Sequence, residues 1–96
     1  MGISEIIGTK KEQILAIAQK HGAYHVRLFG SVAVGNADDK SDVDFLVDLE
    51  KGRTLFDLGG LLSDLKELLG RDVDVVTESG LRPRIKDDVL KQAVPL

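Results

Sequence analysis

The chain has 96 residues, 43% of them hydrophobic and 30% charged, which indicates one globular domain over residues 1–96 and excludes disordered, collagen-like and coiled-coil chains. It contains no cysteine, which excludes disulfides, thiolate metal sites and a cysteine nucleophile. The net charge of −3 argues against direct nucleic-acid binding, which depends on cationic side chains. The apolar runs are too short for a membrane span and no signal peptide is predicted, so we expect a cytoplasmic protein.

The first third of the chain predicts a helix, a strand and a short helical turn. Thr9 and Glu12 fit a capping box at the start of the helix, and Gly22 is a plausible left-handed stop. Residues 24–29 are β-prone and predict the first strand. Small residues and turn formers over residues 31–40 predict a short turn of helix and then a loop.

The second strand has a period of two. Its core face carries Val43, Phe45, Val47 and Leu49. The same alternation predicts that the opposite face carries Asp42, Asp44, Leu46 and Asp48.

The second half predicts a helix, a strand and a last helix. Thr54 and Asp57 form a cap, and a leucine stripe follows up to Gly70: Leu58, Leu61, Leu62, Leu65, Leu68 and Leu69. Residues 72–77 are mostly apolar and predict a third strand in the centre of the sheet. Pro83 suits the first turn of a last helix. The order of elements predicts an α+β domain with a three-stranded sheet backed by helices.

Three aspartates suggest a metal site. Asp42 and Asp44 are two residues apart on one strand face, with Cα atoms roughly 6–7 Å apart, which suits a pair of divalent ions about 3.5–4 Å apart. Asp74 lies in the third strand and can join them if that strand pairs beside the second. Oxygen ligands favour magnesium or manganese. The alternative is that the acids are only solvated on an exposed strand face.

A Gly-Ser pair follows the first strand. Gly30 lets backbone amides approach an anion, Ser31 adds a hydroxyl donor, and Gly35 could admit a further close approach. The alternative is an ordinary turn with a helix cap. If the first and second strands end side by side, this phosphate-binding turn would lie beside the acids, which favours the functional interpretation.

These residues together resemble the signature of the nucleotidyltransferase superfamily: Gly30-Ser31, Gly35, Ser41-Asp42-Val43-Asp44 and Val73-Asp74-Val75-Val76. The resemblance extends over nearly the whole chain and is greatest to the minimal nucleotidyltransferase group. It implies a nucleotidyltransferase-like fold, which is a small mixed β-sheet backed by helices.

The resemblance also implies a reaction, the magnesium-dependent transfer of AMP from ATP to a hydroxyl by two-metal in-line displacement. Asp42 and Asp44 would hold two Mg²⁺ ions, and Asp74 would ligate one of them and help to activate the hydroxyl. Gly30 and Ser31 would bind the β- and γ-phosphates.

Members of the group are usually paired with a toxin of the HEPN class. The resemblance therefore implies an antitoxin that modifies a tyrosine of such a toxin, and a possible hetero-oligomer. Two alternatives remain: an antitoxin that neutralises by complex formation with little or no catalysis, and transfer to a small molecule.

One position departs from many relatives, which carry an arginine between the Gly-Ser pair and the next glycine. Here Val32 and Val34 flank Ala33. The missing positive charge could come from a cation elsewhere in the chain: Lys40, Arg53, Arg82 or Arg84.

The remaining residues have mostly structural interpretations. His21 and His25 are not spaced for metal binding, which favours surface or capping roles. Leu55 and Phe56, ahead of the leucine stripe, predict an exposed apolar patch.

Overall fold

The computed structural model describes residues 1–96 and contains five α-helices, four strands and a 3₁₀ turn at Glu78–Gly80. In chain order they are α1 (Ile3–Ile7), α2 (Lys11–Lys20), β1 (Ala23–Phe29), α3 (Gly30–Val34), β2 (Val43–Leu49), α4 (Leu55–Leu69), β3 (Val73–Thr77), α5 (Pro83–Gln92) and β4 (Val94–Pro95). None of the helices combines the length and the apolar character that crossing a bilayer requires.

The strands form one mixed sheet in the order β3-β2-β1-β4. β1 is antiparallel to β2 and β4, whereas β2 and β3 are parallel. The expected α+β architecture is confirmed, with two corrections. The sheet has a fourth strand, because Val94 and Pro95 pair with β1. β3 lies at the edge rather than in the centre, since its apolar character comes from packing against α4 on one face.

The main core lies between the sheet and the helices α2 and α4. Val43, Phe45 and Val47 are almost fully buried, as the period of two predicts, and they join Leu61 and Leu65 of α4 in one cluster. Leu46 points to the opposite face, with the aspartates, and is also fully buried. That face is therefore covered at its middle and is not a uniformly solvated surface.

Helix boundaries follow the local signals in α4 and at the end of α2, where Gly22 has φ +74°, but not at the start of α2. Thr54 and Asp57 form the predicted capping box, and Gly70 ends the helix in the left-handed conformation, with φ +63°. The predicted Thr9 capping box is wrong, because α2 begins at Lys11 with no side-chain cap. An unpredicted helix, α1, ends at Gly8, and Thr9 lies in the turn that joins it to α2.

Candidate active site

The turn after β1 brings the Gly-Ser pair against the second strand. Gly30 has φ +72°, a backbone conformation that favours glycine. A Cβ atom at this position would overlap the Oδ2 atom of Asp44. Gly30 is therefore needed for two reasons, and it places the backbone of the turn directly beside an acidic side chain.

Parallel pairing of β2 with β3 brings together the three predicted acids, which we call the acidic trio: Asp42, Asp44 and Asp74. Asp44 and Asp74 are register partners on adjacent strands, which lie about 4.8 Å apart. Asp42 is exposed and lies one residue before β2, whereas Asp44 is partly buried. The structure thus supplies the strand pairing that the sequence analysis could only assume.

No lysine, arginine or histidine forms an ion pair with any member of the acidic trio. The pKa of Asp44 is raised to about 6, first by desolvation and then by the charges of Asp74 and Asp42. Carboxylates that repel one another without a counter-charge favour a bound cation, and oxygen donors suit Mg²⁺. The donor set therefore fits magnesium.

The carboxylates are not yet gathered into a coordination shell. As the side chains stand, no three carboxylate, imidazole or thiolate groups are close enough to hold one metal ion. The acidic trio is thus a set of neighbouring donors on two strands rather than a preformed cage.

The two valines of the Gly-Ser turn differ in environment. Val32 is fully buried in the main core, whereas Val34 is 53% exposed. An arginine at position 32 of this chain would place a charge in that core, whereas position 34 is open to solvent.

The candidate replacement cations lie in different places. Arg53 is paired with Glu50 and Asp57 at the far end of β2. Lys40 lies in the loop before Asp42, and Arg82 and Arg84 are exposed around the start of α5 without ion-pair partners. Because α5 packs against α3, Arg82 and Arg84 remain candidates for a phosphate contact, and Arg53 does not.

Sequence reasoning missed a buried arginine. Arg27 of β1 is 5% exposed and reaches Asp48 at 3.4 Å and Glu78 at 3.3 Å. His25, in the left-handed conformation at a bulge in β1, also contacts Asp48, at 3.1 Å. We call these four residues the arginine cluster; the only signal for it in the sequence is an arginine inside an apolar strand.

The remaining histidine has a structural role. The Nε2 atom of His21, at the end of α2, lies 2.7 Å from the Oδ2 atom of Asp64 on α4. This contact and Lys20 lower the pKa of the Asp64 carboxyl. The structural interpretation of His21 is confirmed.

Two open clefts lie outside the acidic trio. One of about 600 Å³ lies at the far end of β2, near Leu49, Leu55 and Leu58. The exposed apolar patch predicted beside it is confirmed, since Leu55 and Phe56 are 83% and 92% exposed. The other cleft, of about 500 Å³, has only polar residues and glycine in its walls: Asp39, Lys40, Ser41, Lys66, Gly70, Arg71 and Asp72.

Comparison with protein families and curated proteins gives consistent matches. The nucleotidyltransferase domain family matches residues 10–96. A Methanocaldococcus jannaschii protein named "Putative protein adenylyltransferase MJ0435" is 40% identical over 98% of this chain and 97% of its own length. Protein adenylyltransferase MntA of Thermococcus cleftensis is 35% identical over 96% of this chain and 90% of its own length.

Solved structures agree with this fold. "Structure of putative minimal nucleotidyltransferase" describes a chain with 47% identity and a TM-score of 0.87, with coverage of 100% of this chain and 97% of that one. A toxin–antitoxin crystal structure with AMP-PNP has a TM-score of 0.76 at 22% identity, over 88% of this chain and 70% of that one, a likeness of fold alone. From the family match, the relatives and the shared fold, the chain belongs to the minimal nucleotidyltransferase family and is a nucleotidyltransferase enzyme.

Proposed function

We propose that this chain is a protein adenylyltransferase that transfers AMP from ATP to a tyrosine hydroxyl of a HEPN-type toxin and acts as its antitoxin. The observation that carries the proposal is the acidic trio, uncompensated by any cation and adjacent to the Gly30 turn. A protein that only bound its partner would gain nothing from three neighbouring negative charges in this place.

The reaction is an in-line displacement at the α-phosphorus of ATP. The hydroxyl oxygen forms a bond to the α-phosphorus, the bond from that phosphorus to the bridging oxygen breaks, and pyrophosphate leaves. The hydroxyl proton passes to Asp74, which is exposed at the edge strand and accessible to a group arriving from outside. AMP is thereby joined to the acceptor through a phosphodiester bond.

The residues of this chain supply binding and orientation. Asp42, Asp44 and Asp74 would hold two Mg²⁺ ions, which when bound would neutralise charge on the α-phosphate and on the leaving pyrophosphate. Backbone amides of the turn at Gly30 and Ser31, with the Ser31 hydroxyl, would bind the β- and γ-phosphates. Gly30 keeps this turn close to Asp44 because it has no side chain to separate them.

The similar proteins support the choice of donor and acceptor. The T. cleftensis relative is named a protein adenylyltransferase, which favours AMP transfer to a protein. Solved neighbours of the same fold are toxin–antitoxin complexes, one of them with AMP-PNP, an ATP analogue. A separate toxin as acceptor suits a domain in which Asp74 is exposed on an edge strand of the sheet.

The test uses ATP labelled at the α-phosphate, Mg²⁺, this chain and the purified product of the neighbouring reading frame. We expect label on a tyrosine of the partner, and its loss when Asp44→Asn replaces the native chain. Asp72→Asn is the matched control, because Asp72 is an exposed acid two residues from Asp74 that pairs only with Lys66. A stable complex without label in the native chain would favour the antitoxin that acts by complex formation.

A further inference from the structure

The loop that precedes the acidic trio is a closed turn. The amide of Asp38 donates to the Ser41 hydroxyl at 2.9 Å, and the amide of Lys40 donates to the Asp38 carboxylate at 2.9 Å. The Ser41 amide donates to the Asp38 carbonyl oxygen at 3.2 Å. The Lys40 amide, and next the Ser41 hydroxyl, which donates to the Asp38 Oδ1 atom at 3.1 Å, lower the pKa of the Asp38 carboxyl. The turn ends at Ser41, so its position sets where Asp42 begins.

Arg71 holds this turn from the other acid-bearing segment. It follows Gly70 at the end of α4, and its Nη2 atom donates to the Asp38 carbonyl oxygen at 2.5 Å. The next residue continues the connection, since the carbonyl oxygen of Asp72 accepts from the Val43 amide at 2.9 Å. Arg71 therefore joins the chain just before Asp42 to the chain just before Asp74.

We propose that Arg71 is a positioning residue for nucleotide transfer, which fixes Asp42 relative to Asp44 and Asp74. The inference rests on the proposed function of the acidic trio. Asp42 lies outside β2 and has no ladder bond or cation of its own to hold it near two other negative charges. Repulsion within the trio would move Asp42 outward, and the bond from Arg71 to Asp38 opposes that movement.

The first readout is amide hydrogen exchange, which requires neither a bound metal ion nor enzyme activity. In Arg71→Met the Ser41 amide should exchange its hydrogen with solvent about 5–10-fold faster than in the native chain, because the turn loses its anchor. Arg71→Lys, which keeps a donor of similar reach, should restore most of the protection. Lys66→Met is the matched control: it removes a cation from the same cleft that is paired with exposed Asp72 and not with the turn.

The second readout is binding of Mn²⁺ alone, followed by electron paramagnetic resonance. Arg71→Met should weaken Mn²⁺ binding by about 10-fold, the effect typical of groups that orient metal ligands. It should lower kcat for labelled AMP transfer with little change in KM for the acceptor protein. Arg71→Lys should recover both values, which a loss of general stability would not predict.

Native exchange at Ser41 together with native Mn²⁺ binding in Arg71→Met would overturn the proposal. If Arg71→Met does not fold, Arg71→Gln provides the same comparison with Arg71→Lys. Failure of the proposed function is distinguishable, because a native chain that transfers no label still gives both the exchange and the Mn²⁺ result. Equal Mn²⁺ binding by Arg71→Met and Arg71→Lys would likewise contradict a positioning role.

Discussion

The strand β2 carries two aspartates in opposite electrostatic environments. Asp44 and Asp48 lie on the same face of β2, roughly 13 Å apart along the strand. Asp48 is neutralised by buried Arg27 at 3.4 Å and contacted by His25 at 3.1 Å. Asp44 has no ion-pair partner, and its pKa is raised to about 6. Within a single strand, the fold compensates the charge of Asp48 and leaves uncompensated the charge of Asp44, to which we assign a role in the proposed reaction.

The difference follows from what surrounds each carboxylate. Around Asp48, the bulge in β1 and the 3₁₀ turn bring Arg27 and Glu78 into contact. Around Asp44, the parallel pairing with β3 adds a second acid, and Gly30 adds backbone without a side chain. A buried ion pair is weak evidence for stability, whereas an unpaired cluster of like charges is a reason to look for a ligand.

The largest effect is expected from Asp74→Asn. It removes one donor of the trio while the amide keeps the shape, so transfer of labelled AMP should fall by about 10³-fold, on the scale of losing a group that stabilises charge in the transition state. Asp48→Asn should leave the transfer rate of the folded protein within about 3-fold of the native rate, since Asp48 contributes to the stability of the fold and not to the reaction. Equal losses in both variants would contradict the division between the two ends of β2.

Gly30→Ala should have the next largest effect. The new methyl group would meet the Asp44 carboxylate and would occupy a left-handed backbone conformation. We expect transfer to fall by about 100-fold, since misplacement near 1 Å has effects of this size. Gly52→Ala is the matched control. Gly52 also has positive φ, but no atom lies within 4 Å of the position that a Cβ atom would take there. Comparable losses of transfer in both variants would argue against a specific role for Gly30.

Arg27→Met tests the other end of the strand. It leaves the partly buried Asp48 and Glu78 without their cation, so the free energy of unfolding should fall by about 2 kcal/mol, and Tm by about 10 °C. Transfer should persist below the new Tm. Arg53→Met is the control: its ion pairs are more exposed, so its loss should be below about 1 kcal/mol. Denaturant unfolding of both variants measures the difference, and an Arg53→Met effect as large as that of Arg27→Met would count against the buried cluster.

The smallest expected effect is on how the free energy of unfolding depends on pH when no metal ion is bound. The pKa of Asp44 rises from its ordinary 3.8 to about 6 in the fold, so the folded state holds the proton more tightly. The resulting stability is present below about pH 4 and is lost as pH rises through about 6.

Asp44→Asn should therefore be more stable than the native chain by about 1 kcal/mol at pH 7.5, after allowance for solvent screening of a partly exposed group. The gain should disappear near pH 4. Thermal unfolding at both pH values measures it, and a gain that does not change with pH would contradict the charge explanation.

Local signals in the sequence predicted several features correctly. The Thr54 and Asp57 cap with Gly70 defined α4, and the period of two defined the core face of β2. The Gly-Ser pair and the Asp-x-Asp spacing predicted a functional site, and its role stays a prediction. Each of these depends on residues within a few positions of one another, where backbone geometry and hydrogen bonding act directly.

Tertiary structure decided the rest. The sequence could not place β3 at the edge, add β4 to the sheet, or reveal that α1 displaces the Thr9 cap. Its only sign of the buried Arg27 was an arginine inside an apolar strand, and it did not show that Asp48 would be the partner or that Arg71 would hold the turn before Asp42. These features join residues that are distant in the chain, and only the packing of strands and helices determines which distant groups meet.

The acidic trio shows this division most clearly. The period of two in the sequence predicts Asp42 and Asp44 on one strand face, and the structure places Asp42 one residue before β2 begins. Asp74 joins them only because β3 pairs in parallel with β2 in a register that sets it opposite Asp44. The sequence determined which residues could perform the chemistry, and the long-range strand pairing determined that they stand together, because register is fixed by the burial of a whole face and not by any local motif.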